Sequence, residues 1–376
     1  MFENLSLLAL QEYWWIIVAL LGGLFVFMMF VQGGQTLVYT LGKTEVERDV
    51  LINSLGRKWE LTFTTLVLFG GALFAAFPLF YAVSFGGAYF VWMGILFSFI
   101  VQAVSYEYRK KPSNVFGTKT YETFLYLNGA VGVLLVGNAV GTFFTGGNFV
   151  VNEMNLSQWT TPWYGLEAVL NPFNVIFAFM LFFLSRMQGA LYFINNINED
   201  MIVKRAKGSL KVHTLLFLVA FVYVTLFLLA TDGFALNSAT KIISIEPHKY
   251  LHNLIAMPLV SGMILLGAVL LLFGVFIALF KESKKGIWFS GLGTVLVGMG
   301  LFLLVGLGDT AYYPSLHDLQ SSLTIANSSS SRFTLLTMSY VSLMVPFVLA
   351  YIVWAWRALD KEKITIAEVQ SDPHHY

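Results

Sequence analysis

The sequence predicts an all-α polytopic membrane protein with about nine transmembrane helices, the N-terminus periplasmic and the C-terminus cytoplasmic. Hydrophobic residues make up 57% of the 376 residues and charged residues only 11%, and the mean hydropathy is +0.73. This is more apolar surface than a soluble core of that size can hide. Apolar runs of the length that crosses a bilayer, about 20 residues, recur along the whole chain.

The apolar runs predict nine spans within a single membrane domain that covers residues 1–376. The first run has no basic segment and no small-residue cleavage site around it, so it predicts a retained helix rather than a cleaved signal peptide. The predicted spans are residues 13–41, 61–84, 87–106, 121–144, 171–195, 211–231, 254–280, 287–308 and 333–357.

The positions of Lys and Arg predict the orientation of these spans. Of the 22 basic residues, 18 lie between or after alternate spans on one side, and cytoplasmic loops carry this excess. Only Lys241, Lys249 and Arg332 lie on the other side, and Arg186 lies within a span. The residues on the side predicted to be cytoplasmic are Lys43, Arg48, Arg57, Lys58, Arg109, Lys110, Lys111, Lys119, Lys204, Arg205, Lys207, Lys211, Lys281, Lys284, Lys285, Arg357, Lys361 and Lys363.

Several classes of function are disfavoured by composition. A net charge of +1 and the absence of a basic patch argue against a nucleic-acid partner. The chain has no cysteine, which excludes disulfides and thiolate-bound metals or clusters. None of the six histidines falls in the middle of a predicted span, so we predict no haem or metal ligated by this chain and no catalytic residue. His248 and His252 have the i, i+4 spacing of a metal pair, although a solvated loop is the favoured interpretation; His374 and His375 belong to the C-terminal tail.

Two ionisable residues inside or at the edge of spans are candidates for function, because such groups are costly in a membrane. Glu60 lies at the predicted cytoplasmic edge of the second span. It either forms an interfacial ion pair with Arg57 or Lys58, or it exchanges protons with the cytoplasm as the first station of a proton path. Arg186 lies in the cytoplasmic half of the fifth span, where it either snorkels to the headgroups or neutralises a group on a neighbouring helix or subunit.

Neutral polar and small residues also occur within the spans. Gln32 and Gln35 lie near the inner end of the first span, where they could hold water or pack against another helix. Gly137 and Gly141 have the spacing of a close helix approach, and Asn138 beside them adds a polar group inside the fourth span.

The most specific motif is Gly70–Pro78, GGALFAAFP, which follows Trp59-Glu60 and precedes Tyr81-Ala82. With an upstream E-x-E-R-x-x-x-x-I-N-S pattern, this segment resembles subunit II of the cytochrome bd-type quinol oxidases. The upstream pattern comprises Glu45, Glu47, Arg48, Ile52, Asn53 and Ser54, and weaker matches are Tyr106–Arg109, Gly137-Asn138, Leu170–Phe173, Gln188–Ala190, Arg205-Ala206, Asp232–Phe234 and Ser322–Thr324.

The resemblance implies a heterodimer in the bacterial cytoplasmic membrane. Its subunit I would carry haems b and d, oxidise quinol and reduce dioxygen to water. Subunit II in that family holds no catalytic haem, completes the scaffold and contributes to proton uptake from the cytoplasm. The resemblance also allows a bound structural quinone and small single-helix subunits.

The resemblance further suggests which residues form the proton path. The family has an aspartate after a tryptophan, and here Glu60 follows Trp59. Gln32 and Gln35 stand for two family aspartates in helix one, and Gln102 for an arginine that some members carry in helix three. A glutamine can hydrogen-bond but cannot exchange a proton near neutral pH. Glu60 is therefore expected to be the chief remaining carboxylate of the path.

Two other functions are compatible with the sequence. The neutral residues in helix one are also compatible with a diverged, bd-like quinol-oxidising complex whose electron acceptor is not oxygen. A secondary transporter is the alternative from another class, since Pro78, Pro258 and Pro346 could interrupt helices; the inverted repeats typical of transporters are not visible in the sequence.

Overall fold

The computed structural model describes residues 2–371, and nearly all of its regular structure is helical. Within that part of the chain, eight helices are long and apolar enough to cross a membrane. A ninth span is formed if Arg332–Ser342 and Val345–Leu359, which meet at a bend of 41°, are taken as one. The expectation of an all-α protein with about nine spans is thereby confirmed. His374 and His375 lie outside the described residues.

The first half of the chain contains the helices that build the candidate site. They are α1 (Leu7–Met28), α2 (Phe30–Gln35), α3 (Val38–Leu41), α4 (Glu45–Gly56), α5 (Trp59–Ala76), α6 (Pro78–Phe80), a π-helical turn (Tyr81–Gly87), α7 (Tyr89–Tyr108), α8 (Thr118–Leu127), a second π-helical turn (Asn128–Gly132) and α9 (Val133–Thr145).

The second half adds the central helix, α10, and the peripheral ones. The helices are a 3₁₀ turn (Leu166–Leu170), α10 (Pro172–Asn196), α11 (Asp200–Ala230), α12 (Lys249–Ala256), α13 (Pro258–Phe280), α14 (Gly286–Gly306), a 3₁₀ turn (Leu319–Ser321), α15 (Ile325–Ser328), α16 (Arg332–Ser342), α17 (Val345–Leu359) and α18 (Ile366–Ser371). Two antiparallel hairpins lie in loops, β1 (Phe149–Val151) with β2 (Ser157–Trp159) and β3 (Gly233–Leu236) with β4 (Ile243–Glu246).

The helix ends follow local chemistry. The Ser6 hydroxyl caps α1 by accepting from the backbone N–H of Ala9 at 3.1 Å, and the Asn171 side chain caps α10, whose first residue is Pro172. Within the predicted span 61–84, α5 ends at Ala76, because Phe77 precedes Pro78 and leaves the helical region of backbone space.

The bundle is built around α10. In the most apolar stretch of this helix, 72% of the residues are buried. Helices α2, α9, α11 and α14 pack against it, while α1 and α13 pack on α14. Close approach between α9 and α10 depends on Gly137, since a Cβ there would lie 2.5 Å from Cα of Ala178.

The bundle has two opposite ends, which we name the basic face and the loop face after the segments that form them. The basic face comprises α3, α4, residues 109–117, the start of α11, residues 281–285 and the C-terminal segment from 358. The loop face comprises residues 146–171, 231–257 and 307–331, with both hairpins.

Candidate functional site

A set of buried polar side chains lies between α2, α7 and the second π-helical turn. We call Gln32, Gln35, Gln102, Tyr106 and Asn128 the polar column. Nε2 of Gln32 donates to Oε1 of Gln102 at 3.3 Å, and Nε2 of Gln35 donates to the Tyr106 hydroxyl at 3.2 Å. All five side chains are buried, so the sequence-predicted Gln32, Gln35 and Gln102 are brought into one region.

The sequence of α2 explains why its two glutamines point the same way. Gly33 faces α10 so closely that a Cβ would lie 2.0 Å from the backbone of Ser185. Gly34 likewise packs against Leu55. Positions i and i+3 share a face of a helix, so Gln32 and Gln35 project together, and their hydrogen bonds show that this face meets α7.

The column contains polar atoms that have no protein partner among residues 2–371. They are Oε1 of Gln32, Oε1 of Gln35, Nε2 of Gln102, both amide atoms of Asn128 and, beside them, Nε1 of Trp59. Buried polar atoms in folded proteins are nearly always hydrogen-bonded, and those without a protein partner are usually satisfied by ordered water. The column is therefore expected to be hydrated.

Asn128 is connected to the rest of the column by close packing of backbone. Gly129 lies against the carbonyl of Gln32, where a Cβ would come within 2.3 Å. A π-helical turn inserts an extra residue into a helix and often occurs at functional sites. Here it lies beside the Gln32–Gln102 pair and carries a wholly buried amide.

Trp59 forms one wall of the column. Its ring stacks on that of Tyr106, with centroids 5.5 Å apart and planes 10° from parallel. Because Tyr106 accepts from Gln35, Trp59 fixes the hydroxyl that the glutamine contacts. This gives the sequence-predicted Trp59 a structural place at the start of α5.

A buried ionic cluster lies where the column meets the basic face. We define the arginine cluster as Arg48, Asp49, Arg109, Lys110 and Glu122. Arg109 is almost fully buried; its guanidinium donates to Glu122 at 2.7 Å and also to Asp49. Lys110 pairs with Asp49 at 2.9 Å. Nε of Arg48 lies 3.2 Å from Glu122 without the alignment of a hydrogen bond.

The cluster and the column share helix α7. Tyr106 and Arg109 are three residues apart, so they lie on neighbouring positions of one helix face. Arg109, which bonds to the two buried carboxylates, thus follows about one helical turn after Tyr106, whose hydroxyl binds Gln35. Carboxylates can exchange protons near neutral pH, whereas the amides of the column can only orient water.

Glu60 is placed apart from the glutamines. It is exposed, in the first turn of α5, and within the described chain its side chain forms no ion pair or hydrogen bond. The cations next to it have other partners: Arg57 pairs with Glu368 at 2.6 Å and Lys58 with Asp360 at 2.8 Å. Among the described residues, the ion pair that was one of the two alternatives for Glu60 is therefore not formed.

Arg186 and Asn138 also lie within spans. The Arg186 guanidinium stacks over Phe182 at 5.3 Å, its Nε has no partner among the described residues, and it forms no ion pair with their carboxylates. Asn138 donates to the carbonyl of Leu134 at 2.9 Å, which leaves its Oδ1 without a partner.

The histidines offer little support for a prosthetic group. Residues 2–371 contain no group of three or more His, Cys, Asp or Glu side chains placed to hold a metal ion. His213 is buried, and its Nδ1 lies 2.7 Å from the carbonyl of Ser209. His252 contacts Glu246 at 2.7 Å rather than His248.

The comparison with known families decides the assignment. The sequence pattern of the cytochrome bd terminal oxidase subunit II family matches residues 10–359. The chain belongs to this family.

Individual relatives agree with the family over nearly the full length. The chain is 28% identical to the cytochrome bd-I ubiquinol oxidase subunit 2 of Escherichia coli K12, over 97% of this chain and 98% of the relative. It is 28% identical to a probable cytochrome oxidase subunit 2 of Haemophilus influenzae, over 92% and 93%. It is 26% identical to the cytochrome bd ubiquinol oxidase subunit 2 of Bacillus subtilis, over 94% and 96%.

The fold agrees as well. A chain of the bd oxidase from Geobacillus thermodenitrificans matches with a TM-score of 0.54 and 12% identity, covering 93% of this chain and 95% of that one. Membership of the subunit II family makes the chain a component of a bd-type terminal quinol oxidase in a bacterial cytoplasmic membrane, with the haems in the partner subunit. It favours the oxidase over both the non-oxygen acceptor and the transporter.

Sequence reasoning missed three buried residues of the site, Asp49, Glu122 and Asn128. Glu122 is a carboxylate within the predicted fourth span, and Asp49 directly follows the E-x-E-R motif; either could have been noticed. The pairing of both with Arg109 joins three separate helices and has no local signal.

Proposed function

We propose that this chain is the haem-free subunit of a bd-type quinol oxidase and that its polar column leads protons from the cytoplasm toward the haem-bearing subunit. The nine spans act as one membrane domain with the basic face in the cytoplasm, in accord with the excess of Lys and Arg there. The unpartnered polar atoms of the column are the observation that carries the proposal.

Protons enter, in this proposal, at the arginine cluster. Asp49 and Glu122 supply the carboxylates at this entrance, and the Arg109 guanidinium between them bonds to both. A proton that arrives from the basic face passes from there to water at the Tyr106 hydroxyl.

Within the column, the amides position water rather than carry protons. Each glutamine uses either its Nε2 or its Oε1 in a hydrogen bond to a neighbouring side chain. The other amide atom is then free to hold a water molecule. A chain of such waters transfers protons although the glutamine and asparagine amides of the column carry no titratable group. The neutral residues at the positions of family aspartates are therefore compatible with conduction.

Glu60 acts, in this proposal, at the face that meets the partner. It is exposed on α5, whose apolar side chains form with those of α7 a groove of about 500 Å³. Gly70 and Gly71 line that groove and let another helix approach closely. We place the haem-bearing subunit there. Glu60, in the first turn of α5, lies at the basic-face end of the contact, where it takes up protons from the cytoplasm as a second entrance to the route.

The resemblance also allows other components. A structural quinone would need an apolar space such as the cavity between α9, α10 and α14, which measures about 50 Å³ and would have to widen to hold a quinone ring. Small single-helix subunits have exposed apolar surfaces of α11 and α13 available to them.

The assembly is tested by purification in mild detergent, with an optical spectrum and mass analysis of the chains that co-purify. Absorption of haems b and d should stay with a second subunit and be lost when this chain is isolated. A haem retained by the isolated chain would refute the proposal that it is haem-free.

The role of Glu60 is tested by Glu60→Gln. Quinol-driven oxygen consumption should fall while the haem spectrum stays intact. Glu12→Gln is the control, a carboxylate of α1 toward the loop face, and it should leave turnover unchanged. Equal turnover in Glu60→Gln and wild type would remove Glu60 from the path.

A further inference from the structure

A second polar cavity lies at the opposite end of the bundle. It measures about 120 Å³ and is enclosed by α7, α9, the start of α10 and residues 146–171 of the loop face. At roughly 10–15 Å³ per water molecule, this volume holds several waters. We call it the loop-face chamber. Within residues 2–371, none of those that enclose it is a lysine, arginine or histidine.

Helix α9 supplies one polar wall of the chamber. Asn138, Thr142 and Thr145 follow at intervals of four and three residues, so they share one face of the helix. Asn138 is 7% exposed. Because its Nδ2 donates to the carbonyl of Leu134, the orientation of the amide is fixed and the free Oδ1 is left without a partner.

The other walls also present oxygen atoms. Glu167 accepts through Oε1 from Thr161 at 2.5 Å and from Asn148 at 3.3 Å, while its Oε2 is buried without a partner among the described residues. Nδ2 of Asn174 donates to the carbonyl of Ala168 at 3.1 Å. Its Oδ1 accepts from Thr145 and has a second lone pair.

The chamber is therefore rich in acceptors and poor in donors. Two donors near it are already engaged: the Tyr313 hydroxyl interacts with Ser84 and Thr142, and Nε1 of Trp159 donates to the carbonyl of Val83 at 2.9 Å. The two buried atoms left without a partner, Oδ1 of Asn138 and Oε2 of Glu167, are both acceptors. An occupant that satisfies them must supply positive charge or N–H and O–H groups, which an anion or a quinone oxygen does not.

We propose that the loop-face chamber binds one hydrated monovalent cation. Carboxylate, amide and water oxygens are the ligands that hard cations prefer. Among the described residues that line the chamber, Glu167 is the only acidic one, so one positive charge is balanced there. A divalent ion would keep an uncompensated charge in a largely buried site, which is costly.

The site is tested on the detergent-purified complex of this chain with its haem-bearing partner, washed into choline chloride. Radioactive sodium and radioactive rubidium, the latter standing for potassium, are measured by scintillation proximity. We expect saturable binding of at least one of them, one ion per complex, displaced by the unlabelled salt but not by choline.

Variants connect the binding to the chamber. Glu167→Gln removes the charge and should weaken affinity at least tenfold, and Asn138→Leu should weaken it without a change of charge. Glu153→Gln is the matched control, because Glu153 is an exposed carboxylate in the same loop-face segment, and it should bind as wild type does. Each variant must keep the haem spectrum and the unfolding temperature in choline.

The proposal is overturned by either of two results. If neither ion binds saturably to the wild-type complex, the chamber holds water alone. If Glu167→Gln and Asn138→Leu, both folded, bind as tightly as Glu153→Gln, the cation lies elsewhere. Neither result affects the proton column, which lies at the other end of α7.

Discussion

Gln32 and Gln102 face each other across α2 and α7, with Nε2 of Gln32 donating to Oε1 of Gln102 at 3.3 Å, and both are 0% exposed. The pairing leaves one acceptor on Gln32 and one donor on Gln102 unused. Water can donate to the free acceptor on Gln32 and accept from the free donor on Gln102. The pair can therefore orient a chain of waters so that all its hydrogen bonds point the same way. This is the geometry on which the proposed proton route depends.

The first prediction concerns Asn128, whose two amide atoms lack protein partners. Asn128→Leu removes polar atoms that have no protein partner and bond only to water, so stability should change by less than about 1 kcal/mol. The leucine displaces water, however, and quinol-driven oxygen consumption should fall about tenfold, a barrier increase of about 1.4 kcal/mol. Thermal unfolding and oxygen-electrode assays of the complex measure the two effects. Unchanged turnover would mean that Asn128 lies off the route.

The second prediction concerns the arginine cluster. Arg109→Leu removes the fully buried cation that Asp49 and Glu122 share, so that only the partly exposed Lys110 and Arg48 remain beside them. Breaking a buried pair by removing one partner typically costs about 3–5 kcal/mol. Lys110→Leu is the matched control, because that side chain is 25% exposed, and its loss should cost about 1 kcal/mol or less. Denaturation of the purified complex compares them. Equal losses would show that the Arg109 pairs contribute no more than a surface ion pair.

The third prediction concerns the C-terminal segment, which is joined to α4 and α5 by two ion pairs. The Lys58 and Asp360 side chains are 0% and 7% exposed, and Arg57 and Glu368 are 22% and 42% exposed. Asp360→Ala strands a buried ammonium and should cost about 3–5 kcal/mol. Glu368→Ala should cost no more than about 1 kcal/mol. Comparable unfolding temperatures of the two variants would contradict this ranking.

The fourth prediction concerns two glycines in helices. A Cβ on Gly137 would lie 2.5 Å from Cα of Ala178, whereas a Cβ on Gly208 of α11 has no neighbour within 4 Å. Gly137→Ala should lower the unfolding temperature by forcing α9 away from α10. Gly208→Ala should raise stability by up to about 1 kcal/mol, because alanine restricts the unfolded chain. If both substitutions changed stability in the same direction, the contact between α9 and α10 would be able to accommodate the added methyl group.

The spans and the shared helix face of Gln32 and Gln35 could be predicted from the sequence, because hydropathy and i, i+3 spacing are local properties of the chain. The arginine cluster was not predictable in this way, since Asp49, Arg109 and Glu122 come from three helices that only tertiary packing brings together. The bend between α5 and α6 is an intermediate case: Pro78 signals it, but hydropathy alone extends the span to residue 84.

The family resemblance was confirmed, and it supplied what physics alone left open, the partner and its haems. It also directed attention to Glu60 as the chief carboxylate. The structure adds Asp49 and Glu122 as buried carboxylates next to the column, which the residues carried over from the family did not include. The role of Glu60 in proton uptake from the cytoplasm is a prediction that Glu60→Gln tests.

The central claim is that the hydrated column conducts protons from the basic face. The complex is reconstituted in liposomes with a pH-sensitive dye in the compartment that faces the basic face, and proton uptake is followed with oxygen consumption. Gln102→Leu should slow both together with an unchanged haem spectrum. Gln188→Leu, a buried glutamine bonded to Ser290 and Thr294 outside the column, should alter stability only. Proton uptake at the wild-type rate in Gln102→Leu would contradict the account.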